Sequence, residues 1–333
     1  MNINSHFSLL TSHFSIIMLD SDSKKWLASI LGNAVRFDEP MSRHTSFRVG
    51  GPAEVFAAPE NLETLISLVK GCEERELVYT VIGGGSNLLV KDSGIPGIVI
   101  GVRGSGFGVR GNRAEAFTPH PSPLTAIVKA QAGASLSAFC MKAVKNGFAG
   151  MNFALGIPGT VGGGIMMNAG TALGSMENVL ESVTVLGPGG KIAEIQRKEM
   201  IFAYRKFGVK AGFKPALLIE GSFRLCPGDP EKLKKEADEI LETRRKQQPV
   251  EFPSAGCFFK NPECGQAAGK LIEAAGLKGT RIGGAEISHK HANFIINRDR
   301  ASSADILLLM ELIQETVSKR FNVELETEVK IIG

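Results

Sequence analysis

The chain has few of the features that mark secreted, metal-binding or membrane-spanning proteins. Its five cysteines are odd in number, and no two of them form the CxxC pair typical of zinc sites and redox dithiols. This usage favours a reducing compartment, so we expect a cytoplasmic protein. The apolar stretch at residues 7–19 is interrupted by polar residues, follows no Lys or Arg, and is too short to cross a bilayer. We expect no signal peptide, no membrane insertion and poor order at residues 1–17.

Tryptophan, tyrosine and excess charge are also scarce. The sequence has one Trp and two Tyr, and its 38 Lys and Arg nearly balance its 34 Asp and Glu, which leaves a net charge of +4. The basic residues are spread along the chain, which argues against a nucleic-acid partner. Glycine is abundant, with 39 of 333 residues, against an average of about 7%. Many backbone positions must therefore be ones that other residues do not tolerate.

Apolar periodicity divides the chain into mixed helices and strands. Predicted helices begin at the caps Asn61, Ser135 and Ser302, and a charged helix covers residues 229–246. Residues 183–195 read as a hairpin. The terminal run 323–331 alternates apolar and charged residues and predicts a half-buried strand, with Glu324, Glu326 and Glu328 on its exposed face.

Two glycine-rich segments follow apolar or strand-like runs. They comprise Gly83, Gly84, Gly85, Ser86, Asn87 and Leu88, and then Gly156, Ile157, Pro158, Gly159, Thr160, Val161, Gly162 and Gly163. Neither is a GxGxxG or Walker motif. Such segments are either tight turns with close packing contacts, or cradles whose backbone N–H groups converge on an anion such as a dinucleotide pyrophosphate. Two of them in one chain favour the ligand.

Eight motifs occur together and in order. They are RHTSFRVGG at 43–51, VIGGGSNLLV at 81–90, GIPGTVGG at 156–163 with Asn168-Ala169-Gly170, FAYR at 202–205, SAGCFFKNP at 254–262, LIEAAGLKG at 271–279, IGGAEIS at 282–288 and LETEVKIIG at 325–333. In this ordered set the chain resembles the UDP-N-acetylenolpyruvoylglucosamine reductases, the MurB family of FAD enzymes in peptidoglycan synthesis. The resemblance extends from about Asn33 to Gly333.

The resemblance implies an α+β fold, with a bipartite FAD-binding region of the vanillyl-alcohol-oxidase (PCMH) type and a C-terminal α+β substrate-binding domain. The implied organisation is an N-terminal extension (1–22), two FAD-binding subdomains (23–101 and 102–228), a substrate-binding domain with its connecting helix (229–322) and a C-terminal strand returning to the flavin region (323–333). Both glycine-rich segments would bind FAD. The short spacing between Arg205 and Cys257 fits the shorter subclass, which lacks an extra tyrosine-bearing loop. We expect a monomer or weak oligomer.

The implied reaction is reduction of UDP-N-acetyl-3-O-(1-carboxyvinyl)glucosamine to UDP-N-acetylmuramate, with NADPH as co-substrate that reduces FAD. Hydride addition to the enolpyruvyl group builds enolate charge on its carboxylate, which needs a cation and a hydrogen-bond donor. Arg205 matches the family's catalytic arginine, and Glu328 matches its catalytic glutamate. Taken alone, Arg205 reads as a solvated surface charge.

The usual proton donor of the family is a serine, but this chain has Cys257. A thiol with a pKa near 8.5 releases a proton more readily than an alcohol, so Cys257 is expected to keep the role. The alternative is that Cys257 is a small buried apolar residue.

Further positions match the substrate-binding residues of the family. Tyr204, Asn261 and Lys278 match contacts to the uridine diphosphate, and His291 is a candidate on the substrate side. Gln247 replaces a frequent lysine, and we expect Arg244 or Lys246 to compensate. His289 and His291 lack a third ligand at metal spacing, so we expect no metal.

Two other functions stay open at this point. One is a different FAD oxidoreductase with the same cofactor fold that acts on another alcohol or sugar. The other is a non-catalytic nucleotide-sugar binder that has lost its acid.

Overall fold

The computed structural model describes residues 19–102, 117–119, 125–210 and 215–333. The segment 1–17, expected to be poorly ordered, lies outside the described residues. The helices are α1 (Ser21–Leu31), α2 (Leu62–Glu74), α3 (Leu136–Lys145), α4 (Val161–Met166), α5 (Pro230–Gln247), α6 (Ala268–Ala274) and α7 (Ser303–Phe321). Of these helices in the described ranges, none is both long and apolar enough to cross a membrane.

The strands are mostly short. They are β1 (Val35–Pro40), β2 (Pro52–Ala57), β3 (Tyr79–Ile82), β4 (Leu88–Val90), β5 (Ile95–Gly101), β6 (Phe117–Pro119), β7 (Ala126–Gln131), β8 (Phe148–Ala149), β9 (Gly170–Thr171), β10 (Gly174–Ser175), β11 (Leu180–Leu186), β12 (Ile192–Gln196), β13 (Met200–Ala203), β14 (Lys206–Val209), β15 (Leu217–Pro227), β16 (Arg281–Ile282), β17 (Ala285–Ile287), β18 (Ile295–Asn297) and β19 (Lys330–Ile332).

The predicted helix caps are confirmed. Asn61 accepts a hydrogen bond from the third amide of α2, and Ser135 does the same for α3. Ser302 and Asp305 form a reciprocal capping box at α7, so two otherwise unpaired backbone donors are satisfied. Helix α1 begins at Ser21, capped by Asp20, two residues before the boundary expected for the N-terminal extension.

Three sheets organise the chain. The first has the order β1-β2-β5-β3, in which β1 and β2 are antiparallel and the other two pairs are parallel. The second, antiparallel along β12-β11-β15-β7-β6, contains the predicted β11–β12 hairpin. The third is the small antiparallel sheet β16-β17-β18. Each sheet buries apolar side chains against helices, as an α+β architecture requires.

The hydrophobic cores cross the expected domain boundaries at two places. Phe47, Val49 and Leu89 belong to the expected first FAD-binding subdomain (23–101) but pack in the core of the expected substrate-binding domain (229–322). Helix α5 was grouped with the substrate-binding domain, yet its buried Leu233 and Ala237 pack in the core of the second sheet. Helix α5 therefore packs on the expected second FAD-binding subdomain (102–228) and leads from it into the C-terminal domain.

The prediction of a terminal strand over residues 323–331 is wrong in extent. Only Lys330–Ile332 forms a strand, and it pairs in parallel with β4. Upstream, Thr327 makes an isolated bridge with Phe259. The predicted alternation persists, since Leu325 and Val329 are buried while Glu324, Glu326 and Lys330 are exposed. The pattern correctly indicates an extended segment, but continuous ladder partners are missing.

Asp92, in the loop after β4, caps helix α7 of the C-terminal domain. Its carboxylate accepts from the amides of Ser303 (3.0 Å) and Ala304 (3.2 Å), and its own amide donates to the Ser303 hydroxyl (2.8 Å). This reciprocal contact joins the loop after β4 to the N-terminus of α7 in the C-terminal domain. A carboxylate at that position also interacts favourably with the helix dipole.

Replacement of this cap tests its contribution. We expect Asp92→Ala to lower the free energy of unfolding by about 1–2 kcal/mol, because it deletes two cap bonds. Asp238→Ala on the exposed side of α5 is the matched control, expected to change stability by less than about 0.5 kcal/mol. Urea denaturation followed by circular dichroism measures both, and equal effects of the two variants would contradict the assignment.

Candidate active site

The two glycine-rich segments pack directly on each other. A Cβ on Gly83 would lie 2.4 Å from the Thr160 hydroxyl oxygen, and a Cβ on Gly84 would lie 2.9 Å from the Gly159 Cα. The Ser86 hydroxyl donates to the Pro158 carbonyl at 3.1 Å. Close packing, one of the two interpretations from sequence, therefore accounts for these glycines, and the two segments form one continuous surface.

The same surface leaves backbone donors unused. Within the described ranges, the amides of Gly84, Gly85, Ser86 and Asn87 have no hydrogen-bond acceptor. Position 85 also requires glycine. Its backbone is left-handed, with φ at +61°, and a Cβ there would lie 2.0 Å from the His44 carbonyl oxygen. Successive free amides at a glycine-rich turn suit an anion, so the residues present fit a dinucleotide pyrophosphate.

The side chains expected to add hydrogen bonds to that anion are used within the protein. The Thr160 hydroxyl accepts from the Gly163 amide and caps α4, at 3.2 Å. The Asn87 side-chain amide donates to the Glu328 carbonyl at 3.0 Å. Thr160 and Asn87 thus also stabilise the protein's own structure, and their contact with the cofactor stays a prediction.

Arg205 lies in the two-residue turn of the β13–β14 hairpin. Its φ is +57°, a left-handed conformation that is uncommon for a non-glycine residue. Its Nε lies 2.8 Å from a carboxylate oxygen of Glu328, and its Nη1 donates to the Gly170 carbonyl at 3.3 Å. Only 20% of the Arg205 side chain is exposed. The reading of Arg205 as a solvated surface charge is therefore wrong.

Glu328 is held on both sides of its backbone. Its amide donates to the Phe258 carbonyl at 2.8 Å, and its carbonyl accepts from Asn87. Its side chain is 14% exposed, so the predicted exposed face over Glu324, Glu326 and Glu328 is wrong for this member. Burial raises the pKa of the Glu328 carboxyl, while the charge of Arg205 opposes the rise.

Cys257 follows Gly256, whose φ is +81°, and precedes the buried Phe258. Burial raises the pKa of the Cys257 thiol to about 12; the charge of Glu328 also raises it, and the charges of Arg205 and Arg244 oppose the rise. The three residues predicted to be catalytic therefore share one electrostatic environment. The expectation of a thiol pKa near 8.5 is wrong, because it ignored burial, and the thiol is neutral at physiological pH.

Arg244, on α5, is a cation without a counter-ion in the described residues. It packs against Gly156, where a Cβ would lie 3.0 Å from its Cδ and Nε atoms. Its buried Nε has no hydrogen-bond partner, and burial lowers the pKa of its guanidinium. Lys246, the other group expected to compensate for Gln247, pairs with Glu242 at 2.6 Å on an exposed face. Of the two candidates, Arg244 adjoins the site.

The predicted substrate-binding residues lie next to this centre or form a second group. The Tyr204 hydroxyl oxygen is 3.5 Å from the Asn261 amide, and the Tyr204 ring lies 5.1 Å from the Arg205 guanidinium carbon. Lys278 pairs with Glu273 at 2.6 Å, and both charges act on His291. Burial lowers the pKa of His291. In the described ranges no cluster of three His, Cys, Asp or Glu side chains could hold a metal.

Two asparagines in the site were not predicted to position catalytic residues. Asn87 was predicted only as a cofactor contact, and Asn168 was noted only as part of a motif. Asn168 donates from its side chain to the Ala203 carbonyl at 3.2 Å, next to the turn that carries Arg205. Their partners are 35 to 241 positions away in sequence, so no local signal could have indicated these contacts.

Comparison with known proteins agrees with this geometry. Residues 53–196 match the model of an FAD binding domain. Residues 248–332 match the C-terminal domain of UDP-N-acetylenolpyruvoylglucosamine reductase. The chain belongs to the UDP-N-acetylenolpyruvoylglucosamine reductase (MurB) family. The predicted fold class, α+β with an FAD-binding region and a C-terminal domain, is confirmed.

Individual relatives support the assignment over nearly the full chain. The reductase of Desulfosudis oleivorans is 43% identical over 95% of this chain and 100% of its own length. That of Clostridium novyi is 40% identical over 94% of this chain and 97% of its own length. The crystal structure of the Thermus caldophilus enzyme superposes with a TM-score of 0.72 at 33% identity, covering 88% of this chain and 97% of that chain.

The raised pKa of Cys257 has a measurable consequence. At pH 8 its alkylation by iodoacetamide should be roughly a thousandfold slower than that of an ordinary thiol, because only the thiolate reacts. The rate should rise about tenfold per pH unit up to pH 10. Mass spectrometry of the Cys257 peptide measures it, with the exposed Cys226 and Cys264 as internal references.

Removal of the Glu328 charge should lower the pKa of Cys257 and accelerate this alkylation severalfold in Glu328→Gln. Glu326→Gln, two residues away and exposed, is the matched control and should leave the rate unchanged. If Cys257 reacts as fast as the exposed cysteines at pH 8, the neutral thiol is refuted.

Proposed function

We propose that the protein reduces UDP-N-acetyl-3-O-(1-carboxyvinyl)glucosamine to UDP-N-acetylmuramate, with FAD as cofactor and NADPH as co-substrate. The observation that carries the proposal is the convergence of Arg205, Glu328 and Cys257 beside the joined glycine-rich segments. Family membership supports the same activity. The three residues supply the cation, the carboxyl group and the proton donor that the reaction needs.

The glycine-rich segments would hold the cofactor. The free amides of Gly84 to Asn87 would bind its pyrophosphate, and Gly156 to Gly163 would form the facing wall. When bound, FAD accepts hydride from NADPH and delivers it to the substrate. The protein's part is to place the enolpyruvyl group of the substrate next to that hydride.

Arg205 would bind the carboxylate of the enolpyruvyl group. Its Nε lies 2.8 Å from the Glu328 carboxylate and its Nη1 donates to the Gly170 carbonyl, which leaves the Nη2 donors for an incoming carboxylate. Arg244 adds a second cation, without a counter-ion among the described residues, whose charge acts on Cys257. Negative charge moves onto the carboxylate when hydride reaches the β-carbon, so these cations act most strongly in the transition state.

Glu328 would donate a hydrogen bond and Cys257 would supply the proton. Glu328 pairs with Arg205 in the resting site, and burial raises the pKa of its carboxyl, so proton uptake by Glu328 is favoured once the substrate carboxylate pairs with Arg205. The protonated carboxyl would then donate a hydrogen bond to the developing enolate. Cys257 would then give its thiol proton to the α-carbon, which completes the C–H bond and leaves a thiolate. Arg205 and Arg244 stabilise that thiolate, since their charges lower the pKa of the thiol.

The uridine diphosphate would extend along the remaining predicted contacts. Tyr204 and Asn261 adjoin Arg205, while Lys278 and His291 lie beyond them near α6. Lysine and amide donors suit a diphosphate. We also propose a cytoplasmic location, supported by five unpaired cysteines, and the absence of a nucleic-acid partner, supported by the small net charge. A monomer or weak oligomer stays a prediction.

Spectroscopy and turnover test the main proposal. The purified protein should show a flavin absorbance spectrum, and NADPH oxidation should depend on the enolpyruvyl substrate. A protein without flavin would contradict the proposal. So would a flavoprotein whose reduced form is reoxidised by oxygen alone, because that would fit a different FAD oxidoreductase or a non-catalytic binder.

Substitution of Cys257 tests the proton donor. Cys257→Ser should retain substantial turnover, whereas Cys257→Ala should allow flavin reduction by NADPH but slow reoxidation by substrate by roughly 10²–10⁴-fold, the usual contribution of a general acid. Stopped-flow absorbance separates the two half-reactions. Equal turnover by wild type and Cys257→Ala would show that another group supplies the proton.

A further inference from the structure

The hairpin that carries Arg205 packs Met200 and Phe207 into the core of the second sheet, but its turn, with the exposed Ala203 and Tyr204, lies outside that core. Strands β13 and β14 form a two-stranded sheet that pairs with no other strand among the described residues. Isolated hairpins are marginally stable. Arg205 in addition holds a left-handed backbone at the turn, a conformation that persists only when neighbouring groups enforce it. Contacts from outside the hairpin must therefore fix the guanidinium.

Asn168 ends helix α4 in a way that does not require its side chain. Its φ is +39°, its amide donates to the Ile165 carbonyl, and the next amide donates to the Gly164 carbonyl. This is a Schellman motif, and glycine is the preferred residue at its left-handed position. Because glycine would serve the backbone at least as well, the presence of asparagine points to a role for the side chain.

The side chain of Asn168 makes two hydrogen bonds in a buried setting, with 7% of the residue exposed. Its Nδ2 donates to the Ala203 carbonyl at 3.2 Å, and its Oδ1 accepts from the Glu177 amide at 3.0 Å. Rotation of the amide group by half a turn would oppose like groups at both ends, so the orientation is fixed. Ala203 immediately precedes the turn of Tyr204 and Arg205.

The same short segment also touches the guanidinium. The Gly170 carbonyl, two residues after Asn168, accepts from Arg205 Nη1. The segment 168–170 therefore contacts the Arg205 hairpin at its backbone and at its charged end. Glu328 contacts the guanidinium at Nε, 2.8 Å away.

We infer that Asn168 is a positioning residue: its side-chain amide holds the β13–β14 turn so that Arg205 presents its guanidinium to the substrate carboxylate. This inference rests on the proposed function for its chemical consequence. A displacement of about 1 Å of a positioned group costs up to roughly 100-fold in rate. The effect should be confined to the step in which the carboxylate gains charge.

The principal test is Asn168→Gly, which keeps the left-handed helix end and removes both side-chain bonds. The rate of flavin reoxidation by substrate should fall roughly 10- to 100-fold, while the rate of flavin reduction by NADPH should stay within about twofold of wild type. Asn322→Gly is the matched control: Asn322 also ends a helix in the left-handed region, at φ +54°, but its side chain is exposed and makes no hydrogen bond in the described chain. Both rates should be unchanged in that control.

A double-mutant cycle distinguishes positioning from general damage. In an Arg205→Lys background, Asn168→Gly should cause little further loss, because Asn168 acts through the missing guanidinium. A full additional loss in that background, or an equal fall in both half-reactions, would overturn the inference.

Hydrogen–deuterium exchange supplies a readout that is independent of turnover. Exchange at residues 200–209 should increase in Asn168→Gly and in Asn168→Asp, and should stay at the wild-type level in Asn322→Gly. Unchanged exchange in both Asn168 variants would overturn the positioning role even if the wild type failed to reduce the enol ether. Failure of the wild type to turn over, with increased exchange in the variants, would instead count against the proposed function alone.

Discussion

The ion pair between Arg205 and Glu328 is the contact on which the site depends. A largely buried guanidinium–carboxylate pair gains little net free energy, because desolvation of both charges offsets most of their attraction. The pair therefore cannot fix its own position. Bonds around it do so: Phe258 and Asn87 hold the backbone of Glu328, and the segment 168–170 holds Arg205.

The path of the chain follows from the need to bring these two residues together. Arg205 belongs to a hairpin beside the second sheet, whereas Glu328 lies in the C-terminal segment. That segment passes between Phe258 and Asn87 and ends as β19. Strand β19 pairs with β4, which directly follows the first glycine-rich segment in sequence. The packing of Phe47, Val49 and Leu89 in the C-terminal core keeps this junction in place. The first glycine-rich segment, the guanidinium of Arg205 and the carboxyl group of Glu328 thus meet where separate cores join.

The features that sequence could predict are those with local causes. Asn61, Ser135 and Ser302 begin helices because a short polar side chain satisfies an amide three residues later, a contact contained in the motif itself. The same holds for the hairpin at 183–195. The ordered motifs also indicated the family, and through it the residues that the fold brings together.

The features that sequence could not predict depend on distant partners. Alternation over 323–331 indicated an extended chain but could not show that its neighbours would be Phe258 and Asn87 instead of a continuous strand. Likewise the pKa of Cys257 follows from burial and from Glu328, neither of which is visible in the SAGCFFKNP motif. The charge state of a residue depends on its surroundings. The motif therefore indicated a cysteine in the site but not whether its thiol is ionised.

In the proposed role of Cys257 as proton donor, that environment suits a thiol at the position where the family resemblance implies a serine. An ordinary thiol near neutral pH would be partly ionised, and a thiolate beside Glu328 would compete with the substrate carboxylate for Arg205 and Arg244. Burial and Glu328 raise the thiol pKa to about 12, so the resting site keeps the neutral donor that a hydroxyl would provide. A thiol nevertheless remains more acidic than an alcohol hydroxyl in the same environment, because burial raises the pKa of both. Burial therefore keeps the resting thiol neutral beside Glu328, and the thiol remains a stronger acid than a hydroxyl at the same position.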